Sequence, residues 1–166
     1  THKQMAPVIG WWAFAALGFS GYMVATPLYT SRTFNWHERE LGWFFTIVGI
    51  TAAAVQGYLF GRRSRRFGDR SLIIAGTAGM VLGIVVVPFV PTAVALYGWT
   101  FLLAFANSVA APAASGLVSR FAGPAEQGTM LGAAQAISGL GRLLGPVSVG
   151  WVYDAMGART AYLIAA

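Results

Sequence analysis

Residues 71–119 read SLIIAGTAGMVLGIVVVPFVPTAVALYGWTFLLAFANSVAAPAASGLVS, without one Asp, Glu, Lys or Arg. A water-soluble domain needs charge on the outward face of its elements, and this stretch supplies none. It is about twice the roughly 20 residues that one helix needs to cross a bilayer. Pro88 and Pro91 sit near its middle, where a chain turning back at a membrane surface would break. The stretch therefore reads as two spans joined by a short turn. The chain is read as an integral membrane protein.

Composition agrees. The 166 residues are 57% hydrophobic and only 10% charged, against about 25% charged in soluble domains. The 21 glycines suit close helix packing in lipid, where small residues let backbones approach. Continuous apolar runs favour helices over a transmembrane barrel, whose strands would alternate in polarity. There is no cysteine, so disulfides and thiolate metal sites are excluded. His2 and His37 are the only histidines, each beside charged or polar residues in an expected loop, and they form no pair at metal-ligand spacing. Nothing calls for a cofactor. The net charge of +6 comes from basic residues beside apolar spans, which points to membrane orientation rather than nucleic acid.

Charge gaps and turn signals lay out five full spans, at about 8–30, 42–60, 72–90, 93–118 and 129–153, with a sixth beginning at 160–166. The expected fold class is an all-α membrane bundle of five helices plus the start of another. Trp11, Trp12 and Tyr29 fit the interfacial aromatic belt at the edges of the first span. One side collects Lys3, Arg62, Arg63, Arg65, Arg66, Arg70 and Arg120; the other collects Arg32, Arg39 and Arg159. Short Arg-rich loops stay cytoplasmic, so the start of the chain is expected inside, in the cell (inner) membrane. A chain that starts at Thr1 and stops inside an apolar run is expected to be part of a longer protein.

Arg142 stands out. A charge in mid-span is expensive and normally faces protein or a water-filled cavity. Gln135, Ser138 and Arg142 fall at i, i+3 and i+7, on one helical face. Such a stripe suits an anion-contacting or proton-coupled cavity; it also suits a guanidinium that caps carbonyls or pairs with a carboxylate. Gln56, Asn107 and Tyr22 are further polar groups in the spans, cavity liners or interhelical hydrogen-bond partners. No acidic residue lies within the five spans, so a proton-carrying partner would come from elsewhere. Gly145-Pro146 removes a helix hydrogen bond, giving a hinge or a static bend.

Residues 57–76, GYLFGRRSRRFGDRSLIIAG, place Gly61 and Gly68 around a basic turn, with Asp69-Arg70 opening the next helix. The order G-x6-G-[DE]-R-x2-[LI] between two spans resembles the loop signature of the major facilitator superfamily. It is similar above all to the degenerate copy in the second half of drug–proton antiporters of the tetracycline-efflux type. Arg63 and Arg65 stand where the fuller signature has Leu and Asp. Asn107 to Arg120, small-residue-rich and Pro-broken, resembles the family's tenth span, and Pro124 to Gly128 its acidic-Gln-Gly loop. Gly141-x3-Gly145-Pro146-x3-Gly150 followed by Tyr153-Asp154 resembles the eleventh; it is also similar to the Gly-Pro signature of the fifth span in antiporters, with Val149 in place of that signature's second glycine.

The resemblance covers most of the chain and implies spans seven to eleven and the start of twelve, half of a twelve-helix transporter. It implies secondary transport of a small molecule, with proton-coupled export by alternating access. The expected partners are the bilayer, a small-molecule substrate and the N-terminal half or another membrane subunit. Gly61, Gly68, Asp69, Arg70, Gly145 and Pro146 are the conformational candidates. A transporter-derived structural subunit is the alternative. An enzyme fits least, because no nucleophile–base pair, metal cluster or phosphate loop is found.

Overall fold

The computed structural model describes residues 2–60, 68–123 and 125–166. Among the described residues six α-helices follow one another: α1 (His2–Phe34), α2 (Glu38–Ala54), α3 (Asp69–Val86), α4 (Ala93–Phe121), α5 (Gln127–Met156) and α6 (Ala158–Ala165). A π-helical turn, Val55–Phe60, continues α2, and a 3₁₀ turn, Val87–Phe89, ends α3. No strand occurs among the described residues.

Local chemistry sets the helix ends. The Glu40 carboxylate accepts from the His37 backbone N–H at 3.0 Å at the start of α2. Gly68, at φ +72°, turns the chain into α3, a left-handed conformation that glycine adopts without Cβ strain. Thr92 caps α4 by accepting from the Ala95 N–H at 3.2 Å. Gly157, at φ +85°, separates α5 from α6. Helices α1, α4 and α5 run through Pro27, Pro112 and Pro146 without interruption.

Four segments are long and apolar enough to cross a bilayer: Pro7–Phe34, Glu38–Gly57, Asp69–Phe89 and Ala93–Phe121. At 30 residues α5 has the length, but Gln135, Arg142 and its glycines and serines hold its hydropathy lower. The bundle also leaves large apolar side chains outside, with Val94 80% and Phe14 78% exposed. A lipid or protein environment covers such surface; water does not.

Packing follows the small residues. The broadest contact joins α1 to α5, and the next joins α3 to α4. A Cβ on Gly141 would stand 2.6 Å from the Ala13 carbonyl oxygen, and one on Gly145 would meet the Leu17 carbonyl and Ser20 Oγ. Gly76 and Gly79 likewise admit Ala110 and Ala106 of α4. Polar tips then tie helix to helix. Trp11 Nε1 donates to Thr77 Oγ1 at 2.6 Å, Trp99 Nε1 to the Gly83 carbonyl at 2.7 Å and Tyr97 Oη to the Glu40 carbonyl at 3.1 Å. The main core holds Tyr22, Phe44, Leu96, Leu103, Val149 and Tyr162; a smaller one gathers Trp12, Ala114 and Ala134.

The two ends of the bundle differ. At one end, Asp69 opens α3 and faces Arg120 near the end of α4, Nε to Oδ2 3.2 Å. At the other, Arg32 pairs with Asp154 at 3.7 Å, and Arg159 stands 5.5 Å from the Phe89 ring centre.

Candidate substrate cavity

A cavity of 470 Å³ lies between α1, α4 and α5. Helix α1 contributes Trp11, Trp12, Ala15, Ala16, Phe19, Ser20, Met23 and Val24; α4 gives Asn107 and Ala111; α5 gives Ser138, Arg142 and Pro146. Its volume falls within the range of ordinary small-molecule sites, roughly 300–1,000 Å³. The walls are aromatic and aliphatic with a few polar groups, and Arg142 is the only charged residue among them.

The geometry follows from the α1–α5 seam. Residues 138, 141, 145 and 149 form the buried stripe of α5, and Arg142 lies along its edge. Contact through Gly141 and Gly145 draws α5 onto residues 13–21 of α1 and brings Arg142 level with the aromatic wall. The Arg142 side chain is exposed to the cavity side and is in no ion pair among the described residues. Pro146 has no N–H, so the Arg142 carbonyl loses its intrahelical donor one turn below. Two lining residues carry buried polar atoms without a hydrogen-bond partner among the described residues, Trp12 Nε1 and Ser138 Oγ. Such groups are costly unless a water or ligand reaches them.

The structure gathers Arg142, Ser138, Asn107 and Pro146 into this one cavity. Gly145 lies beneath it as a packing residue against α1. Three sequence candidates fall elsewhere. Gln135 shares the face of Arg142 but sits one turn before Ser138, exposed and outside the lining. Gln56 is exposed in the π-helical turn. Tyr22 corrects the expectation of a liner, being fully buried with Phe19 and Tyr162 ring centres at 6.1 and 6.3 Å. It lies on the core side of α1, packed with Tyr162 of α6.

Of the loop candidates, Gly68, Asp69 and Arg70 stand at the far end of the bundle, and Gly61 lies outside the described residues. Trp11 and Trp12, read from sequence as edge aromatics of the first span, also form cavity walls. Helix α1 begins at His2, which lifts them to its third turn. The recurrence of Trp12, Ala16, Phe19, Ser20 and Met23 every three or four residues is the signal that would have found this face.

An all-α bundle of membrane-spanning length, with a cavity between its helices, defines a multi-pass membrane protein. The chain belongs to the Major Facilitator Superfamily, whose family model matches residues 12–166. It is 30% identical over 156 residues to mouse major facilitator superfamily domain-containing protein 10, covering 88% of this chain and 32% of that protein. Against the class C tetracycline resistance protein of Escherichia coli it is 30% identical over 126 residues, covering 74% and 31%. The structure of the human organic anion transporter MFSD10 (TETRAN) superposes with a TM-score of 0.85 at 22% identity, covering 98% of this chain and 38% of that one. The chain spans about a third of the length of the curated relatives it matches.

Proposed function

We propose that this bundle is one half of a secondary transporter that exports a small molecule in exchange for protons by alternating access. The observation that carries the reading is the cavity itself: apolar walls, a few hydrogen-bonding groups and, among the described residues, Arg142 as the sole charge. Substrate binds there, between this half and a second set of helices, and rocking of the halves exposes it to either side. The bundle end that carries Asp69 and Arg120 faces the cytoplasm, and the membrane is the cell (inner) membrane. No acidic side chain lines the cavity among the described residues, and in this reading the other half supplies the proton-carrying carboxylate. Export accords with relatives named for tetracycline resistance and multidrug resistance. The cation in the wall and a relative titled an organic anion transporter make anions the first substrates to assay.

On the face of α5 opposite the α1 seam, Leu140, Leu143, Leu144, Val147 and Trp151 form an exposed apolar stripe. It suits packing against the partner half. A structural subunit would present the same stripe to another membrane protein, and one assay separates the two readings. The full-length protein is reconstituted in liposomes with an acidic lumen and offered tetracycline and 1-naphthoate. Transport predicts accumulation of at least one of them that a protonophore collapses. Intact, inserted protein that moves neither contradicts it.

A further inference from the structure

A second cavity, of 570 Å³, lies at the end of the bundle where α1 and α3 begin and α4 ends. Its walls are apolar: Val8 and Trp11 from α1, Ile73 from α3, Leu117 and Phe121 from α4. Among the described residues its one charged wall is Arg70, exposed in the first turn of α3. The neighbouring carboxylate is committed elsewhere, because Asp69 is buried against Arg120 at 3.2 Å. Arg70 is therefore in no ion pair among the described residues.

This cavity differs from the substrate cavity in kind. The two share the Trp11 wall, but Arg142, Asn107 and Ser138 line only the other. Among the described residues the walls offer no hydrogen-bonding side chain besides Arg70 and the Trp11 indole, whose N–H is already donated to Thr77. A fitting ligand has a long apolar body and one anionic head. The head must sit where membrane-spanning helices end, which is the level of lipid headgroups.

We propose that this cavity binds an anionic phospholipid, with its phosphate on the Arg70 guanidinium and an acyl chain along Val8, Ile73, Leu117 and Phe121. Basic pockets between membrane helices bind anionic headgroups by this charge match. A free anion would gain the guanidinium but leave the apolar walls uncovered. A zwitterionic lipid would cover the walls but bring its own cation to Arg70. The arginines at 62, 63, 65 and 66 precede this residue in sequence, and the proposal rests on none of them.

The test uses the full-length protein in nanodiscs of phosphatidylcholine containing a minor fraction of phosphatidylglycerol, with the retained lipid counted by native mass spectrometry. Wild type is expected to retain phosphatidylglycerol preferentially. Arg70→Gln lowers that preference about fivefold, and Arg70→Lys keeps most of it. Leu117→Trp fills the cavity and lowers retention of both lipids. Soluble glycerol phosphate is expected not to displace the bound lipid. An unchanged preference in Arg70→Gln overturns the proposal, and so does unchanged retention in Leu117→Trp. Displacement by glycerol phosphate alone assigns Arg70 to a small phosphate and overturns it equally. Arg70 is exposed, so Arg70→Gln is expected to fold, and its result stands even where Leu117→Trp assembles poorly.

Discussion

Asp69 and Arg120 form an ion pair whose partners have unequal surroundings: the Asp69 side chain is 6% exposed and that of Arg120 72%. Removing Arg120 leaves a buried carboxylate without its cation, whereas removing the charge of Asp69 leaves a solvated guanidinium. Arg120→Ala should lower stability by about 2 kcal/mol and Asp69→Asn by under about 1 kcal/mol, read as unfolding midpoints of the purified protein. Equal losses would contradict the asymmetry. Arg142 should behave in the opposite way. Its guanidinium has no ionic partner among the described residues, so Arg142→Gln should keep the unfolding midpoint and cut transport by tenfold or more. A large fall in the midpoint would mean that the residue serves packing. Its position in mid-span was legible, because a charge among apolar residues is conspicuous. The direction of Tyr22 was not, since a single helix face does not tell which neighbour it meets.

Helices outrun the apolar runs that revealed them. The polar segment 31–41 reads as a loop, yet only Asn35 to His37 lie outside helix. Thr30 Oγ1 donates to the Thr26 carbonyl at 2.9 Å and Ser31 Oγ to the Leu28 carbonyl at 3.1 Å, so these polar residues satisfy themselves within α1. The charged segment 154–159 likewise shrinks to Gly157. Hydropathy reports where lipid begins, and helix continues past that point. The chain's glycines read as packing residues in general, but which of them pack was not legible. A Cβ on Gly145 meets α1 backbone, while one on Gly139 meets nothing within 4 Å. Gly145→Ala should destabilise by about 1–3 kcal/mol through overpacking. Gly139→Ala should be neutral or stabilising by about 0.5–1 kcal/mol, because alanine orders a helix more readily. Thermal unfolding of the two variants side by side checks both. The Gly145-Pro146 step does not interrupt α5, so any bending there is flexure of a continuous helix.

At the scale of the molecule, a cavity forms where glycine contacts pull α5 onto α1 and α4 closes the remaining side. The all-α membrane class was readable from hydropathy, and the family from motif order. The cavity depends on how three distant segments meet, which no local pattern encodes. The account predicts that the α1–α4–α5 face is wetted by water and substrate while the outer faces are not. Because the chain lacks cysteine, single cysteines introduced into an otherwise cysteine-free full-length protein report this directly. Asn107→Cys and Ala15→Cys should react with a membrane-impermeant thiol reagent and be protected by transported substrate, while Phe101→Cys on the exposed apolar surface of α4 should stay unreactive. Unreactive Asn107→Cys and Ala15→Cys beside a readily labelled Phe101→Cys would contradict the account.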